Sequence, residues 1–82
     1  MSKQEVFEKV VAIIGPFAKD EAALKNVDEK TNILTDLKVN SARLVDIILD
    51  FEDQFDVAID DDAADQIQTI GDAVDKILEI KG

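Results

Sequence analysis

The side chains of this protein that could take part in chemistry are carboxylates and hydroxyls. There are nineteen Asp and Glu residues, nine Lys and Arg, and no histidine or cysteine. A serine nucleophile needs an adjacent base, usually His, so Ser41 is not expected to be the centre of a hydrolase. Paired carboxylates do general acid–base work only where a pocket raises one of them above its ordinary range, and nothing in the sequence signals such a pocket. Without cysteine there is no thiol catalysis and no disulfide framework. The run "DQFDVAIDDDAAD" is dense in carboxylates, but it lacks the turn glycine and the distal bidentate glutamate of an EF-hand loop. No specific metal site is expected, and any binding of divalent ions would be weak. These exclusions point to a protein that is not an enzyme. Ser41 remains either a plain helix cap or a hydroxyl on which another enzyme places a group.

The elements that hold Ser41 follow from the spacing of apolar residues. Ser2 can cap a first helix, and Val6, Phe7, Val10, Val11, Ile13 and Ile14 recur along it at helical intervals. Gly15-Pro16 ends or kinks it. Residues 17–40 form a long connection with one helical turn at 20–25. Its apolar anchors Val27, Ile33, Leu34 and Leu37 argue that it is packed down. Asn40 or Ser41 can cap the next helix. At about 100° per residue, Leu44, Ile48, Phe51 and Phe55 share its core face. Arg43, Asp46, Asp50 and Asp53 gather on another face, with Leu49 and Ala42 beside them as an apolar margin carrying one large exposed side chain. Asp60, Asp61 and Asp62 suit the first turn of a short third helix, where carboxylates meet the positive end of the helix dipole. Ala64 and Ile67 would face the core. Thr69 with Asp72 resembles a capping box opening a last helix, with Ile70, Ala73, Val74, Ile77, Leu78 and Ile80 as its core stripe. The expected fold is all-α: one domain over residues 1–82, an antiparallel bundle of three main helices plus one short helix, with a long first loop.

Charge narrows the partners. The net charge is −10, and residues 46–75 hold eleven acidic residues and no Lys or Arg. Such a surface repels nucleic acid and anionic membranes and favours basic patches on other proteins. The N-terminal stretch has acidic residues before any apolar run, unlike a signal peptide. The longest apolar run, "VVAII", is far shorter than the roughly 20 residues that span a bilayer. A cytoplasmic monomer with no membrane insertion is expected.

The stretch "DLKVNSARLVDIILDFEDQFDVAI" resembles the acyl carrier proteins, which show here a leucine-containing loop, Asp-Ser-Leu, and an acidic amphipathic helix ending in an acidic residue, any residue and Phe. Downstream, "IDDDAADQIQTIGDAVDKI" is similar to the family's short third helix and its Thr-capped last helix, and "FEKVVAIIG" to its first. The resemblance implies a 4′-phosphopantetheine arm, derived from coenzyme A, on Ser41. Its terminal thiol would carry acyl groups as thioesters to enzymes of fatty acid, lipid or polyketide synthesis. It implies as partners a phosphopantetheinyl transferase and acyl-transferring or condensing enzymes with basic docking patches. It implies partner docking through Ala42, Asp46, Leu49, Asp50, Glu52 and Asp53, and an acyl-chain cavity lined by Ile48, Phe51, Ile59 and Ile67. Three features depart from the family pattern. Asn40-Ser41-Ala42 replaces Asp-Ser-Leu, Arg43 stands where an acidic residue is frequent, and the first loop is slightly long. The family's Asp helps the transferase bind its metal ion, a charge that Asn40 lacks. These departures keep open a second reading, an unmodified acidic adaptor or regulatory protein of the same fold.

Overall fold

In the computed structural model, which describes residues 2–81, Ser2 Oγ accepts the Glu5 amide at 3.2 Å and starts helix α1 (Lys3–Ile14). Val6, Val10 and Ile14, four residues apart, form its buried stripe. Phe7, Val11 and Ile13 pack partly against the core. At Gly15-Pro16 the helix tightens into a 3-10 turn, Gly15–Phe17. Proline lacks the N–H that an interior helical position would use.

The long connection is packed down as expected. Asp20 Oδ1 accepts the Ala23 amide at 3.1 Å and caps a short helix α2 (Glu21–Leu24), the helical turn anticipated at 20–25. Ile33, Leu37 and Val39 are buried, while Val27 and Leu34 pack at the edge of the core. The backbone is tied to distant segments. The Lys19 and Asp20 amides both donate to the Leu37 carbonyl, at 3.2 and 3.4 Å, and the Ile33 amide donates to Gln68 O at 2.9 Å. Asn32 and Thr69 form an isolated β-bridge. No strand pattern was expected, and this bridge is the β pairing among the described residues.

A second 3-10 turn, Ser41–Arg43, leads into α3 (Leu44–Phe55). Its buried face is Ile47, Ile48, Phe51 and Phe55, with Leu44 half-buried. Ile47 therefore belongs to a wider core arc than spacing suggested. The exposed margin is also wider. Val45 (64% exposed) stands beside Leu49 (56%), giving two large apolar side chains where one was expected. The Phe51 and Phe55 rings meet edge to face with centroids 6.4 Å apart. Asp56 takes a left-handed conformation (φ 54°) and ends the helix. The Val57 amide closes the last turn on Glu52 O at 3.2 Å.

Asp60 Oδ1 accepts the Ala63 amide at 2.8 Å and caps α4 (Asp61–Asp65). Ile67 beyond it is buried. Thr69 and Asp72 form the expected box before α5 (Ile70–Lys81). Thr69 Oγ1 accepts the Asp72 amide, and Asp72 Oδ2 accepts the Thr69 and Gln68 amides, each at 3.1 Å. Ile70, Ala73, Val74 and Ile77 are buried. Ile80, anticipated in the core stripe, is exposed because it lies beyond the last core layer. Helix α1 packs most extensively along α5 and also crosses α3. Three long helices and two short ones thus share one apolar core. No helix of the described residues is long and apolar enough to cross a membrane.

Candidate functional site: the start of α3 and its cavity

The chain reaches the site through buried Val39 and extended Asn40 (φ −64°, ψ 130°). Sequence left the cap open between Asn40 and Ser41; the structure gives it to Asn40. Its Oδ1 accepts the Ala42 amide at 2.9 Å, and its carbonyl accepts the Arg43 amide at 2.8 Å. Asn40 therefore supplies the cap that an aspartate would, without the charge. The Ser41 hydroxyl is released from capping. Ser41 is exposed, and among the described residues its hydroxyl has no hydrogen-bond partner.

Ser41 stands at the wall of a cavity of about 280 Å³. Leu44, Val45, Ile48 and Leu49 of α3 form one side, and Ile59, just before α4, and Asp61, Ala64 and Asp65 of α4 form the other. The carboxylate of Glu52 belongs to the same wall and accepts the Ile59 amide at 3.1 Å, seven residues on. Of the four side chains assigned to an acyl-chain cavity, Ile48 and Ile59 line this space. Phe51 and Ile67 sit in the core and do not. Leu44 and Ala64, expected only as core-facing, and Val45 line it as well. Their signal was available in part, because they fall on the helical arcs adjoining Ile48 and Ile67.

The side chains assigned to docking divide into two groups. Ala42, Leu49, Asp50 and Asp53 are exposed and Asp46 is half-exposed. Asp46 is paired to Arg43, with Nη1 to Oδ2 at 3.1 Å. Glu52 lies apart from this strip, half-buried at the cavity and bonded to the backbone. A bond between residues seven apart across a turn leaves no local sequence signal. Among the described residues, no group of three or more His, Cys, Asp or Glu side chains could hold a metal ion.

A phosphate ester fits Ser41 on this geometry. The hydroxyl is free and exposed, and it opens a helix, where backbone N–H groups and the helix dipole favour an anion. Residues 8–77 match a family model described as a phosphopantetheine attachment site. That match defines a class, proteins that bear a phosphopantetheine group. The chain is 39% identical over 82 residues to the acyl carrier protein of Lactobacillus acidophilus, across the full length of both. It is likewise 39% identical over 77 residues to that of Thermotoga maritima, covering 93% of this chain and 91% of the other. The solved acyl carrier protein of Enterococcus faecalis, 35% identical, matches with a TM-score of 0.80 over 98% of this chain and 99% of that one. This chain belongs to the acyl carrier protein family. Members hold a covalent 4′-phosphopantetheine and work with a phosphopantetheinyl transferase and acyl-handling enzymes, as carriers and not catalysts.

Proposed function

We propose that Ser41 bears the 4′-phosphopantetheine arm and that this protein carries acyl intermediates to biosynthetic enzymes in the cytoplasm. The observation that carries the reading is the unpartnered Ser41 hydroxyl, exposed at the wall of a mostly apolar cavity rimmed by carboxylates. The group, when bound, supplies a terminal thiol that forms thioesters. The protein's own residues do the rest. Asn40 holds the 3-10 turn so that Ser41 projects. Leu44, Val45, Ile48, Leu49, Ile59 and Ala64 offer apolar shelter to an acyl chain.

Docking on this reading uses the charged and apolar sides of α3 together. Asp46, Asp50 and Asp53 steer basic patches toward the site by long-range attraction. Ala42, Val45 and Leu49 give the contact an apolar centre, and the margin of Glu52 adds charge at the cavity.

The test is intact mass spectrometry of the protein from its native host, with peptide mapping around Ser41. A phosphopantetheine adduct on Ser41, lost in Ser41→Ala, is the expected result, and additional acyl mass would define the cargo class. A bare Ser41 that stays bare with coenzyme A and the host's own transferases would overturn the assignment in favour of an unmodified acidic adaptor.

A further inference from the structure

The arm places the fixed negative charge of a phosphodiester at Ser41, beside the most acidic segment of a chain with net charge −10. Adding an anion to a like-charged surface lowers stability unless something local receives it. A second concavity lies between the two 3-10 turns. It is lined by Pro16, Phe17, Ala18, Lys19, Asn40 and Arg43, so that the residues on either side of Ser41–Ala42 form part of its wall. Two of its lining side chains are cations and none is a carboxylate among the described residues.

Both cations are placed by the fold. The Lys19 and Asp20 amides converge on the Leu37 carbonyl, which fixes the Lys19 backbone beside the segment entering Ser41 and leaves its side chain exposed on that side. Among the described residues no carboxylate lies within ion-pair distance of the Lys19 amine. Arg43 gives one terminal nitrogen to Asp46 at 3.1 Å, and a guanidinium has five N–H donors in all. Its planar fork matches phosphate oxygens.

We propose that Lys19 and Arg43 form an anion subsite that receives the phosphodiester of the arm, an inference that rests on the assignment of Ser41 above. The subsite offsets the charge that modification adds and biases the arm's first bonds toward the 15–19 side of the α3 start. Exposed charge pairs are individually weak and are screened by salt, so the signature is a small, salt-sensitive one.

The experiment compares four proteins: wild type, Lys19→Gln/Arg43→Gln, Arg43→Gln alone, and the charge-matched control Lys25→Gln/Lys30→Gln. Each is loaded with a broad-specificity phosphopantetheinyl transferase and coenzyme A, and mass spectrometry verifies the adduct on Ser41. The readouts are the change in Tm from unloaded to loaded protein and the ³¹P chemical shift of the diester as NaCl rises. Wild type and control are expected to melt about 2–4 °C higher when loaded at low salt, a gain that fades by about 0.5 M NaCl. The double variant is expected to melt lower when loaded, and Arg43→Gln to fall between. The wild-type ³¹P resonance should move with salt and that of the double variant should not. Loaded proteins that all show the same Tm change and the same ³¹P response would overturn the subsite and leave the Ser41 assignment standing. Absence of an adduct on Ser41 in every protein would overturn both, and mass spectrometry would show it before any melt.

Discussion

Helices α3 and α5 are both twelve residues long, and both must satisfy backbone amides that a helix start leaves without partners. At α5 the start is sealed. Thr69 and Asp72 bond one another's amides, the Ile70 amide donates to Thr31 O at 3.0 Å, and the Gly71 amide donates to Glu29 O at 2.9 Å. At α3 the N-cap, Arg43, brings no side-chain cap; Asn40 caps one amide of the 3-10 turn just before it, and the hydroxyl of Ser41 bonds nothing among the described residues. The sealed start holds the long connection against the bundle. The open start leaves a hydroxyl and two concavities free for other molecules. Within one fold, the supply of polar partners at a helix terminus separates a structural joint from a chemical site.

Gly71→Ala should give the largest effect on this contrast. A Cβ there would lie 2.7 Å from the Glu29 carbonyl oxygen, a backbone atom that cannot swing away. A net loss of about 1–2 kcal/mol by urea unfolding is expected, because overpacking outweighs alanine's better helix propensity. Ser41→Ala should stay within about 0.5 kcal/mol of wild type. Equal effects at the two positions would erase the distinction.

Asp46→Lys with Asp53→Lys should weaken association with an acyl-handling partner about tenfold while Tm stays close to wild type, by calorimetry and titration. A collapsed fold with unchanged affinity would mean that the open start is structural after all. Thr69→Ala should cost about 1 kcal/mol and Asn40→Ala somewhat less, since only the first breaks a reciprocal box. Denaturant midpoints with unchanged slopes would check the order.

The smallest effect belongs to Lys3. Its bond to Glu29, at 2.7 Å, and the nearby negative charge raise its pKa above the ordinary 10.5. A raised pKa means that the stabilisation is complete below the unfolded value and disappears as pH climbs through the higher folded one. The Tm difference between wild type and Lys3→Met should therefore be small at neutral pH and shrink further above pH 10.5.

Local pattern made much of this molecule legible. The stripes Val6–Val10–Ile14 and Ile70–Val74–Ile77, the Ser2 cap and the Thr69–Asp72 box all involve residues within one or two turns of each other, whereas Asp60, expected in the first turn of α4, stands one residue before it as the cap. The misreadings came from elsewhere. The arc around Ile47 is wider than a stripe, with Ile47 as fully buried as Phe51, and α1 packs against α3. Val45 is exposed although it sits beside core positions. The ties from Thr31 to Ile70 and from Ile33 to Gln68 join segments far apart in sequence. At the site, Ser41 was legible as a hydroxyl at a helix start. That Asn40 and not Ser41 does the capping depends on backbone conformation, which composition does not encode. Helical phase leaves Glu52 off the acidic strip, and only the family resemblance implies docking there; its bond to an amide beyond the next turn has no local signal.

The Glu52–Ile59 bond has a thermodynamic corollary. One carboxylate both faces solvent chemistry and fastens a wall of the cavity. A basic ligand that draws Glu52 off the Ile59 amide and a guest that occupies the cavity therefore act on the same wall. Whatever factor the first changes in the affinity for the second, the second must change in the affinity for the first. Reciprocal linkage of this kind lets the filling of an interior be read out as a preference among visitors at the surface.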